Sequence, residues 1–181
     1  MEKLNYFGNS DILDKHKVAF LCSRKYPPEL VLKSYDWAIE QRNKGVCVIS
    51  GFHSQIEKDV FHFLLKGTQP IILVLARGIK KNWSVEIRKA LDDNRLLIIS
   101  PFPDSVRRVS EKTALRRNLY MIEIADEVLV AHAEKGGQIE KLLINEKKVK
   151  WIDGGVSGGG REKSETMIKE EYQYSELTGK N

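Results

Sequence analysis

Several short apolar runs in this chain end on residue types that bind anions. The run 18–22 is followed by Ser23, Arg24 and Lys25, and the run 46–50 ends on Ser50 and continues into Gly51, Phe52 and His53. Arg77 and Gly78 come just after the run 71–75, and the run 128–131 leads through His132, Glu134 and Lys135 into Gly136 and Gly137. Backbone N–H groups at a helix start point at oxyanions, small residues let the backbone approach, and Arg or Lys adds charge. The grouping therefore predicts a phosphate-binding rim; its bland counterpart is a set of ordinary connecting loops. A second basic feature is the stretch 105–118, where Arg107, Arg108, Lys112, Arg116 and Arg117 face a single acid, Glu111, before Asn118. Such a patch attracts a nucleic-acid backbone through counterion release, although charge runs also serve as plain solvated helix faces. Phe52 and Phe102, both expected in loops on the rim, are the candidates for stacking a base.

Other chemistries lack their residues. There is no G-x-x-x-x-G-K-[ST] loop, and no G-x-G-x-x-G follows the first apolar run, so the usual nucleotide and dinucleotide cradles are missing. No G-x-S-x-G elbow joins one of the five apolar runs to a helical segment, and Ser50, His53 and His132 form only a loose hydroxyl–imidazole grouping. No catalytic residue is assigned. Cys22 and Cys47 are each flanked by apolar residues and form no C-x-x-C pair, so they read as core residues with no metal site, disulfide framework or cofactor implied. His62 falls inside a helical pattern and reads as structural, and Trp37 and Trp83 as packing anchors.

The elements that must position the rim alternate. The runs 18–22, 46–50, 71–75, 96–100 and 128–131 are rich in Val, Ile and Leu without polar alternation, as strands covered on both faces are. Helical apolar spacing fills the gaps at 27–42, 55–66, 84–91, 111–125 and 138–147, and a sixth short strand fits 149–152. Strand–helix alternation with right-handed crossovers predicts a Rossmann-like, doubly wound α/β fold: a mainly parallel sheet of about six strands with helices on both faces. Residues 1–16 read as an N-terminal extension or short helix, 17–152 as the Rossmann-like domain, and 153–181 as a glycine-rich linker and polar tail. A net charge of +5 on 181 residues is too small to name a partner, so the placement of the cations matters more than their sum. The start shows no secretory signal pattern, and nothing approaches the roughly 18 apolar residues of a membrane span, so a cytoplasmic location without membrane attachment is expected.

Taken together, these segments resemble the DNA-processing protein A (DprA/Smf) family. Val18-Ala19-Phe20-Leu21-Cys22-Ser23-Arg24 is similar to its V-A-I-V-G-S-R motif, and Val48-Ile49-Ser50-Gly51-Phe52 to its V-V-S-G-L segment. The stretch from Ile72 to Ile79 resembles A-V-L-G-T-G-L, and Arg116-Arg117-Asn118 followed by Ile124-Ala125-Asp126-Glu127-Val128-Leu129-Val130 resembles R-R-N-R-I-I-A-G-L-S-D-x-V-L-V-V. Gly136-Gly137 stands where the family turns into its last helix. The motifs run in family order over about residues 17–150. The resemblance implies a Rossmann-like domain that binds single-stranded DNA, often as a homodimer, and loads the RecA recombinase in natural transformation and DNA recombination. It implies further that Ser23, Arg24, Ser50, Gly51, Arg116, Arg117 and Asn118 contact the DNA backbone or shape its pocket. The chain departs from the family at Cys22, where the motif has Gly, and at Ser54, Gln55 and Glu57, where S-G-L-A-R-G-I-D has Arg, Gly and Asp. Lys25 or Arg77 could replace the missing cation.

The rival reading is a nucleoside monophosphate hydrolase of the lysine-decarboxylase-like/LOG group, which carries P-G-G-x-G-T-x-x-E after a late strand. Lys135-Gly136-Gly137-Gln138-Ile139-Glu140 keeps only the paired glycines of that motif. A sensor of a nucleotide-like ligand is a third reading that needs the pocket but no basic track.

Overall fold

The computed structural model describes residues 4–153. Its strands are β1 (Asn5–Gly8), β2 (Lys17–Cys22), β3 (Cys47–Ser50), β4 (Ile71–Val74), β5 (Leu96–Ser100), β6 (Glu127–His132) and β7 (Val149–Trp151). Between them lie α1 (Leu30–Lys44), α2 (Gln55–Leu65), α3 (Val85–Asp92), α4 (Glu111–Ile124) and α5 (Gln138–Leu143). The strands form one 7-stranded sheet in the order β1-β5-β4-β3-β2-β6-β7. Every neighbouring pair is parallel except β1 with β5, where Asn5 stands opposite Ser100 and Gly8 opposite Leu97. This is the expected Rossmann-like fold with one strand more. The addition comes from the presumed extension: residues 5–8 close the sheet edge and residues 10–14 form a 3-10 helix. Four residues are too few to show a period, so only the partner strand reveals them.

Both faces of the sheet are covered, which explains the unbroken apolar strands. Ala19 and Leu21 pack with Leu115, Met121 and Ile122 of α4 and with Ile139 and Leu142 of α5. Phe20 and Cys22 point the other way, into a cluster with Leu30 and Ala38 of α1, Ile56, Val60 and Leu64 of α2, and Ala90 of α3. Each fully buried side chain such as Ile49 or Leu64 contributes at most about 1.5–3 kcal/mol of burial free energy. Trp37 stacks on Phe20 with ring centroids 4.9 Å apart, so it is a packing anchor.

Topology places the site. From β2 the chain steps outward through β3 and β4 to β5, with α1, α2 and α3 all on one face. Helix α4 then crosses the opposite face and delivers β6 to the other side of β2. Adjacent strands whose following connections diverge leave a crevice above their carboxyl ends. The register of β2 on β6 also shifts between Leu21 and Cys22. Ser23 N–H closes the ladder onto the His132 carbonyl at 2.9 Å, while Cys22 N–H is left to find a partner elsewhere.

Candidate functional site

A cavity of about 620 Å³ occupies that crevice. Cys22, Ser23 and Arg24 line it from the end of β2, and His53, Ser54 and Glu57 from the start of α2. The approach to α4 and its first turns add Val109, Ser110, Glu111, Ala114, Arg117 and Asn118, and the turn after β6 adds Glu134, Gly137 and Gln138. The cavity thus joins Ser23, Arg24, Arg117, Asn118 and Gly137, five of the residues singled out in the sequence.

Its floor is organised by a carboxylate that the sequence reading passed over. Glu57 sits in the first turn of α2 and is 4% exposed. One carboxylate oxygen accepts from Cys22 N–H at 3.0 Å; the other accepts from His53 N–H at 2.7 Å and Ser54 N–H at 3.1 Å. Ser54 returns the bond by accepting from Glu57 N–H at 3.3 Å, which completes a capping box. The signal was present as S-x-x-E at residues 54–57. Where the family pattern has Arg and Asp, this chain has a helix cap whose acid ties β2 to the α2 entry.

Arg117 is the cation of the floor. It is 6% exposed on the covered face of α4, and its Nε donates to Asn118 Oδ1 at 3.0 Å. Among the described residues neither Nη1 nor Nη2 makes a hydrogen bond. Burial pulls the Arg117 pKa below its ordinary value and the Glu57 charge opposes that pull. Gly51 makes the approach possible, because a Cβ there would fall 2.3 Å from Arg117 Nη1. Desolvation, followed by the Arg117 charge, lowers the His53 pKa, so the imidazole at the wall favours its neutral form. The arrangement is a desolvated guanidinium with open donor positions, facing a polar cavity whose floor carboxylate, Glu57, accepts three backbone N–H groups.

The other expected rim residues lie elsewhere. Phe52 is a correction: its φ is 45°, its N–H donates to Ser50 Oγ at 3.2 Å, and the turn throws its ring inward. There it stacks on Phe61 at 4.2 Å and is 6% exposed, so it packs the core and offers no face to a base. Phe102 is likewise 5% exposed, with the Arg116 guanidinium 5.0 Å from its ring centroid. Ser50 is fully buried and serves that inner turn. Arg77 and Gly78 belong to the connection beside β5: the Arg77 carbonyl accepts from Ser100 Oγ at 2.7 Å, and Gly78 N–H donates to the Val106 carbonyl at 2.8 Å. Lys25 is exposed, 3.9 Å from a Glu134 carboxylate oxygen. The basic stretch is split as well. Consecutive helical residues diverge by about 100°, so Arg116 turns towards Phe102 while Arg117 enters the cavity.

The turn after β6 is already occupied by its own acid. Gly136 N–H donates to Glu140 Oε2 at 2.6 Å, and Ile139 is buried in the core. A phosphate would have to displace that carboxylate, which weighs against the nucleoside monophosphate hydrolase reading. Burial pushes the thiols of Cys22 and Cys47 up to about 12. Both are therefore expected to resist a disulfide reagent at pH 8 in the folded protein and to react in denaturant, as an absorbance assay of released thiolate shows; rapid native reaction of either would contradict their burial. Among the described residues no cluster of His, Cys, Asp or Glu could hold a metal ion, and no helix is long and apolar enough to cross a membrane.

The molecule is a doubly wound α/β protein with a cation-floored cavity at the switch point of its sheet. The chain belongs to the DNA recombination-mediator protein A family, whose model matches residues 2–173. Among solved structures it is similar to the Helicobacter pylori DNA processing protein A, described for its single-stranded DNA binding mode, with a TM-score of 0.68 and 16% identity over 98% of this chain and 86% of that one. The Streptococcus pneumoniae DNA processing protein A aligns with a TM-score of 0.67 and 21% identity over 92% of this chain. This chain spans 60% of the length of that protein. A molybdenum cofactor binding protein from Rippkaea orientalis shares the fold more distantly, with a TM-score of 0.50 and 12% identity over 91% of this chain and 85% of that one. No curated protein sequence shows significant similarity to the chain.

Proposed function

We propose that the cavity and the cations around it bind single-stranded DNA through its phosphates, without catalysing a reaction. The observation that carries this reading is the Arg117 guanidinium, buried with open donors over Gly51 while Glu57 is committed to three backbone N–H groups. The Glu57 charge offsets part of the cost of burying that guanidinium, and its open donors suit a phosphate oxygen. Arg24 at the wall and the exposed Arg107, Arg108 and Lys112 nearby add long-range attraction. Family membership and the binding mode described for the Helicobacter pylori protein support the ligand class. In the cell the protein would act as a cytoplasmic recombination mediator in DNA uptake or repair, as a homodimer that hands the strand to the RecA recombinase.

Sequence preference is expected to be slight, because phosphate contacts position a strand and do not specify it. The test is titration of a fluorescent oligonucleotide at increasing salt. The logarithm of the association constant should fall linearly with the logarithm of salt concentration, with a slope of about −0.7 per phosphate neutralised. No binding at low salt, or binding indifferent to salt, overturns the reading.

A further inference from the structure

The floor and the mouth of the cavity differ in charge. At the floor Cys22, Ser54, Glu57, Arg117 and Asn118 are all buried, which closes the cavity below. The two Glu57 oxygens accept three backbone N–H groups there, and the Arg117 guanidinium is the cationic group on the floor that can receive an anion. At the mouth the exposed Arg24 and Lys141 are balanced by the exposed Glu111 and Glu134. Val109, Ala114 and Ile139 add apolar lining. The volume of about 620 Å³ lies within the range of small-ligand pockets and is ample for one nucleotide.

Because the buried floor makes the cavity a dead end, a strand that continues in both directions would have to enter and leave through the same mouth. A strand end enters it once. A phosphomonoester also carries roughly 1.5–2 negative charges near neutral pH and has three terminal oxygens, against one charge on an internal diester. Resting on the nucleic-acid reading above, we propose that the cavity seats a nucleoside phosphomonoester, above all the terminal phosphate of a strand, with Arg117 Nη1 and Nη2 donating to its oxygens and the sugar against Val109, Ala114 and Ile139. Internal diesters, with one charge and two free oxygens, meet Arg117 less favourably and depend more on the cations outside. Gly51 is the positional requirement of the seat, since any side chain there displaces the guanidinium. Its φ is not positive, so Gly51→Ala tests clearance and not backbone strain.

The experiment compares single strands of one length and sequence carrying a 5′-phosphate, a 3′-phosphate or hydroxyls at both ends, together with a circularised strand. Thymidine monophosphate and thymidine serve as competitors. One phosphorylated end is expected to bind about tenfold tighter than the hydroxyl and circular strands, as about one extra charge-assisted contact implies. The preference should vanish in Arg117→Met and Gly51→Ala, with circular dichroism establishing that each is folded; should one not fold, the other decides. The monophosphate should displace the phosphorylated strand and thymidine should not. Equal affinity for all strands within twofold overturns the seat and leaves single-strand binding intact. Binding of thymidine monophosphate with no strand bound keeps the seat and overturns the polynucleotide reading.

Discussion

Replacing Arg117 by methionine is expected to weaken binding of a single-stranded oligonucleotide about 100-fold at low salt, because a buried, hydrogen-bonding charge that meets phosphate costs 2–5 kcal/mol when truncated. Methionine keeps an unbranched stem of similar volume against α4 and the sheet, so the packing survives. Glu57 retains its three N–H donors in the variant, and a desolvated guanidinium has been removed. Thermal stability should still fall, by up to about 3 kcal/mol, because the buried Glu57 carboxylate loses the charge that faces it. The contrast is Arg107, an exposed cation of the same basic stretch, whose removal should cost only about two- to fivefold and chiefly lower the salt slope. Fluorescence anisotropy on both variants separates the cases. If Arg117→Met binds within threefold of the unaltered protein, the cavity does not hold the strand.

Replacing Glu57 by alanine is expected to cost about 3–5 kcal/mol of stability, as much as truncating a core aromatic. It strands the N–H groups of Cys22, His53 and Ser54 in a buried setting and removes the charge that faces Arg117. For a domain of this size that corresponds to a melting temperature lower by on the order of 10 °C. Glu57→Gln should fall nearly as far, since an amide NH2 would meet backbone donors where an oxygen now accepts. Differential scanning calorimetry of both variants provides the check; a drop below about 1 kcal/mol in either would show that β2 and the α2 entry do not depend on this carboxylate.

The residues differ in how openly their roles could be read. Helix α2 announces itself through Ser54-x-x-Glu57 and the spacing of Ile56, Val60 and Leu64, all features of neighbouring residues. The strand β5 does the same through an unbroken apolar run. By contrast β1 looks like loop, because Asn5–Gly8 gains its conformation from hydrogen bonds to β5, over 90 residues away. Phe52 looked accessible for a related reason: loop position along the chain says nothing of φ, and the positive φ reverses its side chain. Arg116 and Arg117 read as one basic patch, yet a helix sends adjacent side chains in different directions.

Composition and periodicity were enough to establish alternating buried strands and helices, and with them a parallel sheet whose ligand edge is crowded with small residues and cations. Those properties are local: apolar spacing, caps and turn residues act over a few positions. Which cations share a cavity was a matter of strand order. The reversal at β2 and β6 gathered Ser23, Arg24, Arg117 and Gly137 and left Arg77 and Arg116 beside β5. Contacts between segments dozens of residues apart depend on the packing of the whole sheet, and on close approaches such as Arg117 over Gly51 that no local pattern encodes.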